Sequence, residues 1–155
     1  LFKKESQSDL KLVLAGPAFW GISPILQLIT ENNLSQEVVF TGRLNDDDLA
    51  AVMASALALS FIPYYEGFGI PLVEAMQSGV PIITSNVTSL PEIAGEAALL
   101  VDPFSTTEIK EAMLKIYRDG DLRKSLILRG FEQKQKFSWD KSADLLWDSV
   151  LKTIH

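Results

Sequence analysis

Apolar residues fall along this chain in two rhythms, short continuous runs and longer stretches in which they recur every three or four positions. Leu12 to Ala15, Glu37 to Thr41, Ala56 to Pro63, Val80 to Thr84 and Ala98 to Val101 have strand character, being short, apolar and bounded by turn residues. The stretches between them read as helices. Ser23 and Pro24 form an N-cap and first-position pair for a helix reaching about Asn33. Asn45 or Asp46 opens a helix running to about Ser55, with Asp47 and Asp48 in the first turn, where the helix dipole favours carboxylates. Gly79 is a left-handed stop for the helix before it, and Leu90 to Ala94 is a short helix. Ser105-Thr106-Thr107-Glu108 is a capping box, followed by Ile109, Met113, Ile116 and Tyr117 on one face. Asp121 begins a helix carrying Leu122, Leu126 and Phe131, and Ser138 caps a last one carrying Leu145, Leu146, Val150 and Leu151. Strands alternating with helices predict an α/β fold, a doubly wound, Rossmann-like parallel sheet with helices on both faces. Ligands of such sheets sit beyond the carboxyl ends of the strands.

Composition narrows the function. The 155 residues suit one domain with a substantial core, and 47% hydrophobic with 22% charged residues is ordinary globular usage. A formal charge of −6 argues against nucleic acid or an anionic membrane as partner. The chain contains no cysteine, which removes disulfides, thiolate nucleophiles and cysteine zinc sites. No apolar run approaches the roughly 18 residues of a membrane span, and no signal-peptide pattern opens the chain. A cytoplasmic location is therefore expected.

Candidate chemistry concentrates at Glu66-Gly67-Phe68-Gly69-Ile70-Pro71-Leu72-Val73-Glu74. The strand ending near Pro63 delivers Glu66 to a sheet edge. Gly67 and Gly69 permit positive φ and close approach of a ligand, and Pro71 suits the first helical position. The N–H groups of Gly67, Phe68, Gly69, Ile70, Leu72 and Val73 are expected to be free, several converging on a helix mouth that favours anions. Helical side chains tilt toward the N-terminus, so the Glu74 carboxylate returns toward Glu66. Carboxylates accept hydrogen bonds from vicinal hydroxyls, and amides hold phosphate. The combination describes a nucleotide sugar.

The run from Val39 to Pro103 resembles the donor-binding half of the retaining GT-B-fold glycosyltransferases called group 1 or family 4. Four pieces match in order: Phe40-Thr41-Gly42-Arg43-Leu44 before an acidic helix start, Glu66 through Glu74 as the E-x7-E element, Glu74-Ala75-Met76 through Gly79-Val80-Pro81, and Leu90-Pro91-Glu92 followed by Leu100-Val101-Asp102-Pro103. The resemblance implies a nucleoside-diphosphate sugar, UDP- or GDP-linked, as donor for retaining hexosyl transfer, mannosyl transfer included. It implies that Glu66 faces the donor sugar as the catalytic candidate and that Gly67, Phe68 and Gly69 make main-chain contacts to that sugar. Amides around Ile70, Leu72 and Val73 meet the diphosphate, and Glu74 grips the ribose. The backbone near Arg43 and Leu44 lies by the base, with Gly16 at a strand end on the same edge. No cofactor and no metal site follow from it, and Asp46-Asp47-Asp48 reads as a dipole-matched helix start.

Two features depart from the family pattern. Ile62 and Pro63 stand where relatives commonly carry Pro-Ser. The chain opens on Leu1, with Leu1 to Lys11 reading as a helix end and a polar turn, so it is expected to be a single partial domain, residues 1–155, of a longer protein. The first strand of the fold, the basic residues that clasp the diphosphate and the N-terminal domain that binds an acceptor glycan, lipid or small molecule are then missing. The full-length protein is expected in the cytoplasm or at the inner membrane face, and the isolated chain is expected to be inactive. Without that first strand, the strands at Leu12 and Ala56 are expected to pair directly, leave a cleft or borrow a strand from a second copy. His155 reads as a frayed end, and Trp20, Trp139 and Trp147 as packing or domain-contact residues. A nucleotide-sugar 2-epimerase of the same fold and a non-catalytic nucleotide-binding module are the alternatives.

Overall fold

The computed structural model describes residues 1–17 and 21–154, with only the backbone of the last of these. The expectations for Trp20 and His155 lie outside the described residues. Two units form, the first from Lys3 to Val52 and the second from Met53 onward.

The first unit contains most of α1 (Phe2–Ser6), β1 (Leu12–Ala15), α2 (Ser23–Glu31), β2 (Val38–Gly42) and most of α3 (Asp46–Ser55). β1 and β2 pair in parallel, Leu12 opposite Val38 and Leu14 opposite Phe40, before the register shifts and Gly16 donates its N–H to the Gly42 carbonyl at 3.0 Å. Helix α2 starts one residue early. Ile25 and Leu26 both donate to the Ile22 carbonyl, so Ile22 is the N-cap and Ser23 lies inside the helix with no capping bond from its side chain. Asn45 caps α3, its side-chain oxygen accepting from the Asp48 N–H at 2.8 Å. The Lys3 ammonium donates to the carbonyls of Ser8 and Leu10 and pairs with Glu37 at 2.6 Å. That hydrogen-bonded cation holds the Glu37 carboxyl below its ordinary value.

In the second unit, β3 (Leu59–Phe61), β4 (Ile82–Ser85) and β5 (Ala98–Val101) form a parallel sheet in that order, with β4 central. Between and after them lie α4 (Ile70–Ser78), α5 (Leu90–Ala94), α6 (Thr106–Arg118), α7 (Gly120–Gln133), a 3-10 turn at Lys134–Lys136 and α8 (Trp139–Ile154). The period of two along a strand assigns the faces. Leu59, Phe61, Ile82 and Ala98 pack with Leu72, Ala75 and Met76 of α4 and with Leu90, Ile93 and Ala94 of α5. Ile62, Ile83, Leu99 and Val101 pack with Ala112 and Ile116 of α6 and Leu126 of α7. Helices therefore cover both faces, and every residue of β4 is buried. Each fully buried Leu or Ile here contributes about 1.5–3 kcal/mol relative to exposure.

Local signals set the helix ends. Ser105 accepts from the Glu108 N–H at 3.2 Å, while the Glu108 carboxylate reaches past the cap to the Asp102 N–H at 2.9 Å. Helix α7 starts at Gly120, one residue before the expected Asp121, and Asp119 caps it, accepting from the N–H groups of Asp121 and Leu122 at 3.0 and 2.8 Å. Helix α7 starts on the α6 side and reaches α4 and α5 with its last turns. A Cβ on Gly130 would stand 3.4 Å from Met76 Cγ. The buried Gln133 side chain donates to the carbonyls of Glu92 and Ile93 at 3.3 and 3.0 Å and accepts from Lys136 at 2.7 Å.

Strand β1 pairs with β2 in the first unit, and β3 pairs with β4 in the second. Trp139 and Trp147 on α8 are 85% and 63% exposed. No helix among the described residues is long and apolar enough to cross a membrane.

Candidate functional site

Strand β3 stops at Phe61, two residues short of the expected Pro63, and the chain leaves the sheet as a loop from Tyr64 to Gly69 before entering α4. The loop is held by groups far away in sequence. The hydroxyl of Ser85, at the end of β4, donates to the Pro63 carbonyl at 2.6 Å. The hydroxyl of Ser89 stands 3.1 Å from the carbonyls of both Glu66 and Phe68. Tyr64 stacks on Phe104, which follows β5, with ring centroids 4.7 Å apart, so the loop crosses the carboxyl end of β4. Phe68 meets Phe137 edge to face at 5.8 Å.

Gly69 is the N-cap of α4 and has φ 107°, in the left-handed region. A Cβ there would lie 2.8 Å from Leu90 Cδ2, so only glycine fits both the backbone and the space. Gly67 does not use the positive φ that glycine permits, and nothing stands within 4 Å of where its Cβ would be. Its use is open access to the backbone. Ile70 takes the first helical position and Pro71 the second, where a missing N–H still costs no intrahelical bond.

The expected set of free amides is smaller than six. Gly67 and Phe68 donate to the Glu66 carboxylate at 3.1 and 3.3 Å, and Leu72 donates to the Gly69 carbonyl at 2.9 Å. The Glu66 carboxylate folds back on the amides of the two residues that follow it, and a first-turn N–H closes a three-residue bond. Among the described residues nothing accepts from the N–H groups of Gly69 and Ile70. Glu66 is half-buried, Glu74 is exposed just beyond the first turn, Ile70 is exposed, Val73 is half-buried and Leu72 is buried in the core. Leu72 therefore offers a ligand neither its side chain nor its amide.

The remaining expected residues belong to the first unit. Gly16, at φ 126°, bridges Gly42 at the carboxyl end of β1. Arg43 is exposed and Leu44 half-buried immediately after β2. Gly16, Arg43 and Leu44 thus gather at the carboxyl end of the two-stranded sheet, and Glu66 through Glu74 at that of the three-stranded sheet. Sequence reasoning passed over Ser85, Ser89 and Phe104. Ser89 precedes Leu90-Pro91 as an ordinary N-cap residue would, and nothing local shows that its hydroxyl faces the loop.

Known proteins share the family and the fold. The family profile described as "Glycosyl transferases group 1" matches residues 1–133. The chain is 35% identical over 140 residues to O-antigen chain mannosyltransferase B of Escherichia coli, covering 90% of this chain and 37% of that protein. It is 43% identical over 89 residues to the MMP alpha-(1->4)-mannosyltransferase of Mycolicibacterium hassiacum, covering 56% of this chain and 22% of that protein. Sucrose-phosphate synthase from Thermosynechococcus elongatus superposes with a TM-score of 0.80 at 28% identity, over 92% of this chain and 39% of that one. Anabaena HepE in complex with UDP-glucose shares the fold, with a TM-score of 0.86 at 20% identity over 98% of this chain and 44% of that one. The chain thus spans less than half the length of each of these four proteins. With a matching profile over most of its residues and a 35% identical relative, it belongs to the group 1 glycosyl transferases.

Proposed function

We propose that residues 1–155 form one partial domain that binds the donor, a nucleoside-diphosphate sugar, in a longer retaining hexosyltransferase. The observation that carries the reading is the loop before α4. The amides of Gly67 and Phe68 already hold a carboxylate, and those of Gly69 and Ile70, at a helix mouth, have no acceptor among the described residues. Such a mouth carries roughly half a positive elementary charge and stabilises a departing phosphate. In this reading Glu66 faces the sugar as it gains oxocarbenium-like charge. The loop amides through Gly69 contact the sugar, those of Ile70 and Val73 contact the diphosphate, and Glu74 accepts from the ribose hydroxyls. Gly16, Arg43 and Leu44 lie by the base.

Mannose is the sugar we favour, because relatives in both organisms bear mannosyltransferase names. A UDP-glucose complex of a protein with this fold supports a nucleotide sugar as the ligand class. The acceptor is a glycan, lipid or small molecule bound outside this chain. Calorimetric titration of the full-length protein with UDP, GDP and ADP tests the reading. One of the three binds, and Glu74→Ala weakens it about 10- to 100-fold, the loss expected for a charge-assisted hydrogen bond to a diol. Absence of binding by all three, or wild-type affinity in Glu74→Ala, overturns it.

A further inference from the structure

We propose that Ser89 is a positioning residue of the donor site, aiming the amides of the Glu66–Gly69 loop through their carbonyls. The inference rests on the donor-site reading above. Ser89 is the N-cap of α5, yet its side chain makes no capping bond to that helix. Its hydroxyl turns instead to the carbonyls of Glu66 and Phe68, at 3.1 Å from each, across more than twenty positions of sequence. Those two carbonyls belong to the peptide units that carry the N–H groups of Gly67 and Gly69. The peptide units are trans, so each N–H points away from its carbonyl. Sharing the one hydroxyl proton between both carbonyls therefore turns the Gly67 and Gly69 N–H groups to the opposite side of the loop. The result is visible there: the Gly67 N–H meets the Glu66 carboxylate at 3.1 Å, and the N–H of the buried Gly69 has no acceptor among the described residues.

Gly67 carries no neighbour within 4 Å of its Cβ direction. Its backbone has no steric reason to prefer this orientation, and the hydroxyl supplies one. Ser85 secures the start of the same loop through the Pro63 carbonyl, leaving Ser89 to fix the part that bears the amides.

A capping role and an aiming role make opposite demands on the side chain. A cap must accept hydrogen bonds, which aspartate does as well as serine. Aiming carbonyls requires a donor, which an ionised aspartate is not. The full-length protein is titrated with UDP and GDP in wild type, Ser89→Ala, Ser89→Asp and Ser89→Thr, each checked by circular dichroism for native structure. Ser89→Thr keeps wild-type affinity, whereas Ser89→Ala and Ser89→Asp each lose about tenfold, the worth of one hydrogen bond. Wild-type affinity in Ser89→Asp identifies a capping residue only, and wild-type affinity in Ser89→Ala removes any role; either overturns the proposal. Glu74→Ala is titrated alongside. If it weakens binding while Ser89→Ala does not, the role of Ser89 alone fails; if neither variant changes binding, the donor-site reading fails with it.

Discussion

Strands β1 and β4 are both four residues long, both parallel and both rich in aliphatic side chains. Every residue of β4 is buried, whereas Leu12 and Val13 of β1 are 47% and 43% exposed. The helices repeat the contrast. Leu72, Ala75 and Met76 of α4 are at most 1% exposed, while Ile25, Leu26 and Leu28 of α2 are each more than 40% exposed. An apolar run marks a strand, but burial comes from neighbours on both edges and both faces. β4 has strands on either side and helices above and below. In the first unit each of the two strands pairs on one edge only, and its buried set among the described residues contains Ser8 but no large hydrophobic side chain.

The largest effect separating the units is cavity formation. Leu72→Ala should cost about 2–5 kcal/mol in urea denaturation, since Leu72 sits at 0% exposure in the packed face of α4. Val13→Ala should cost less than about 1 kcal/mol, because much of that side chain is already in water. Equal losses would break the comparison.

Glycines sharpen it. Gly16 and Gly69 both hold left-handed backbone, at φ 126° and 107°, so alanine at either costs about 1–2 kcal/mol. Only at Gly69 does the new methyl meet a neighbour, Leu90 Cδ2 at 2.8 Å, which adds about 1–3 kcal/mol of overpacking. Denaturation of Gly69→Ala beside Gly16→Ala measures the steric part by difference. Similar midpoints for the two would show that the second unit yields as readily as the first.

The smallest expected effect lies in the first unit. Glu37 has its pKa lowered by the bound Lys3, so the folded state holds that carboxylate ionised more firmly than the unfolded chain does. The stabilisation is present above the ordinary carboxylate range and is lost as pH falls through the lowered value. Unfolding curves between neutral and acid pH should show this slope in wild type and less of it in Glu37→Gln. An unchanged acid slope in the variant would assign the dependence elsewhere.

Much of this was legible from residue order, because the signals were local. Ala98–Val101, Leu90–Ala94, the left-handed stop at Gly79 and the capping role of Asn45 depend on a few adjacent residues. The errors of one residue at the starts expected from Ser23 and Asp121 arose because neighbouring groups could each open a helix, and hydrogen bonding made Ile22 and Asp119 the caps. Within the glycine loop, the positions of Gly69 and Pro71 in or beside α4 were close to expectation. The engaged amides of Gly67, Phe68 and Leu72 were not, since they depend on how Glu66 folds and how the first turn closes. Ser85 and Ser89 were hidden for a different reason. Their partners lie more than twenty positions away, brought close only by the β3–β4 pairing.

The Gln133 bridge has a consequence for local opening. Helix α5 has five residues, too few to persist unaided, and the Glu92 and Ile93 carbonyls within it are held by a side chain at the end of α7. Hydrogen exchange should therefore find the α5 amides and the last turn of α7 released together, as one cooperative unit. Because Ser89 sits at the head of α5, the glycine loop belongs to that same unit, and the lifetime of its geometry is set partly by a glutamine more than sixty positions away in the chain.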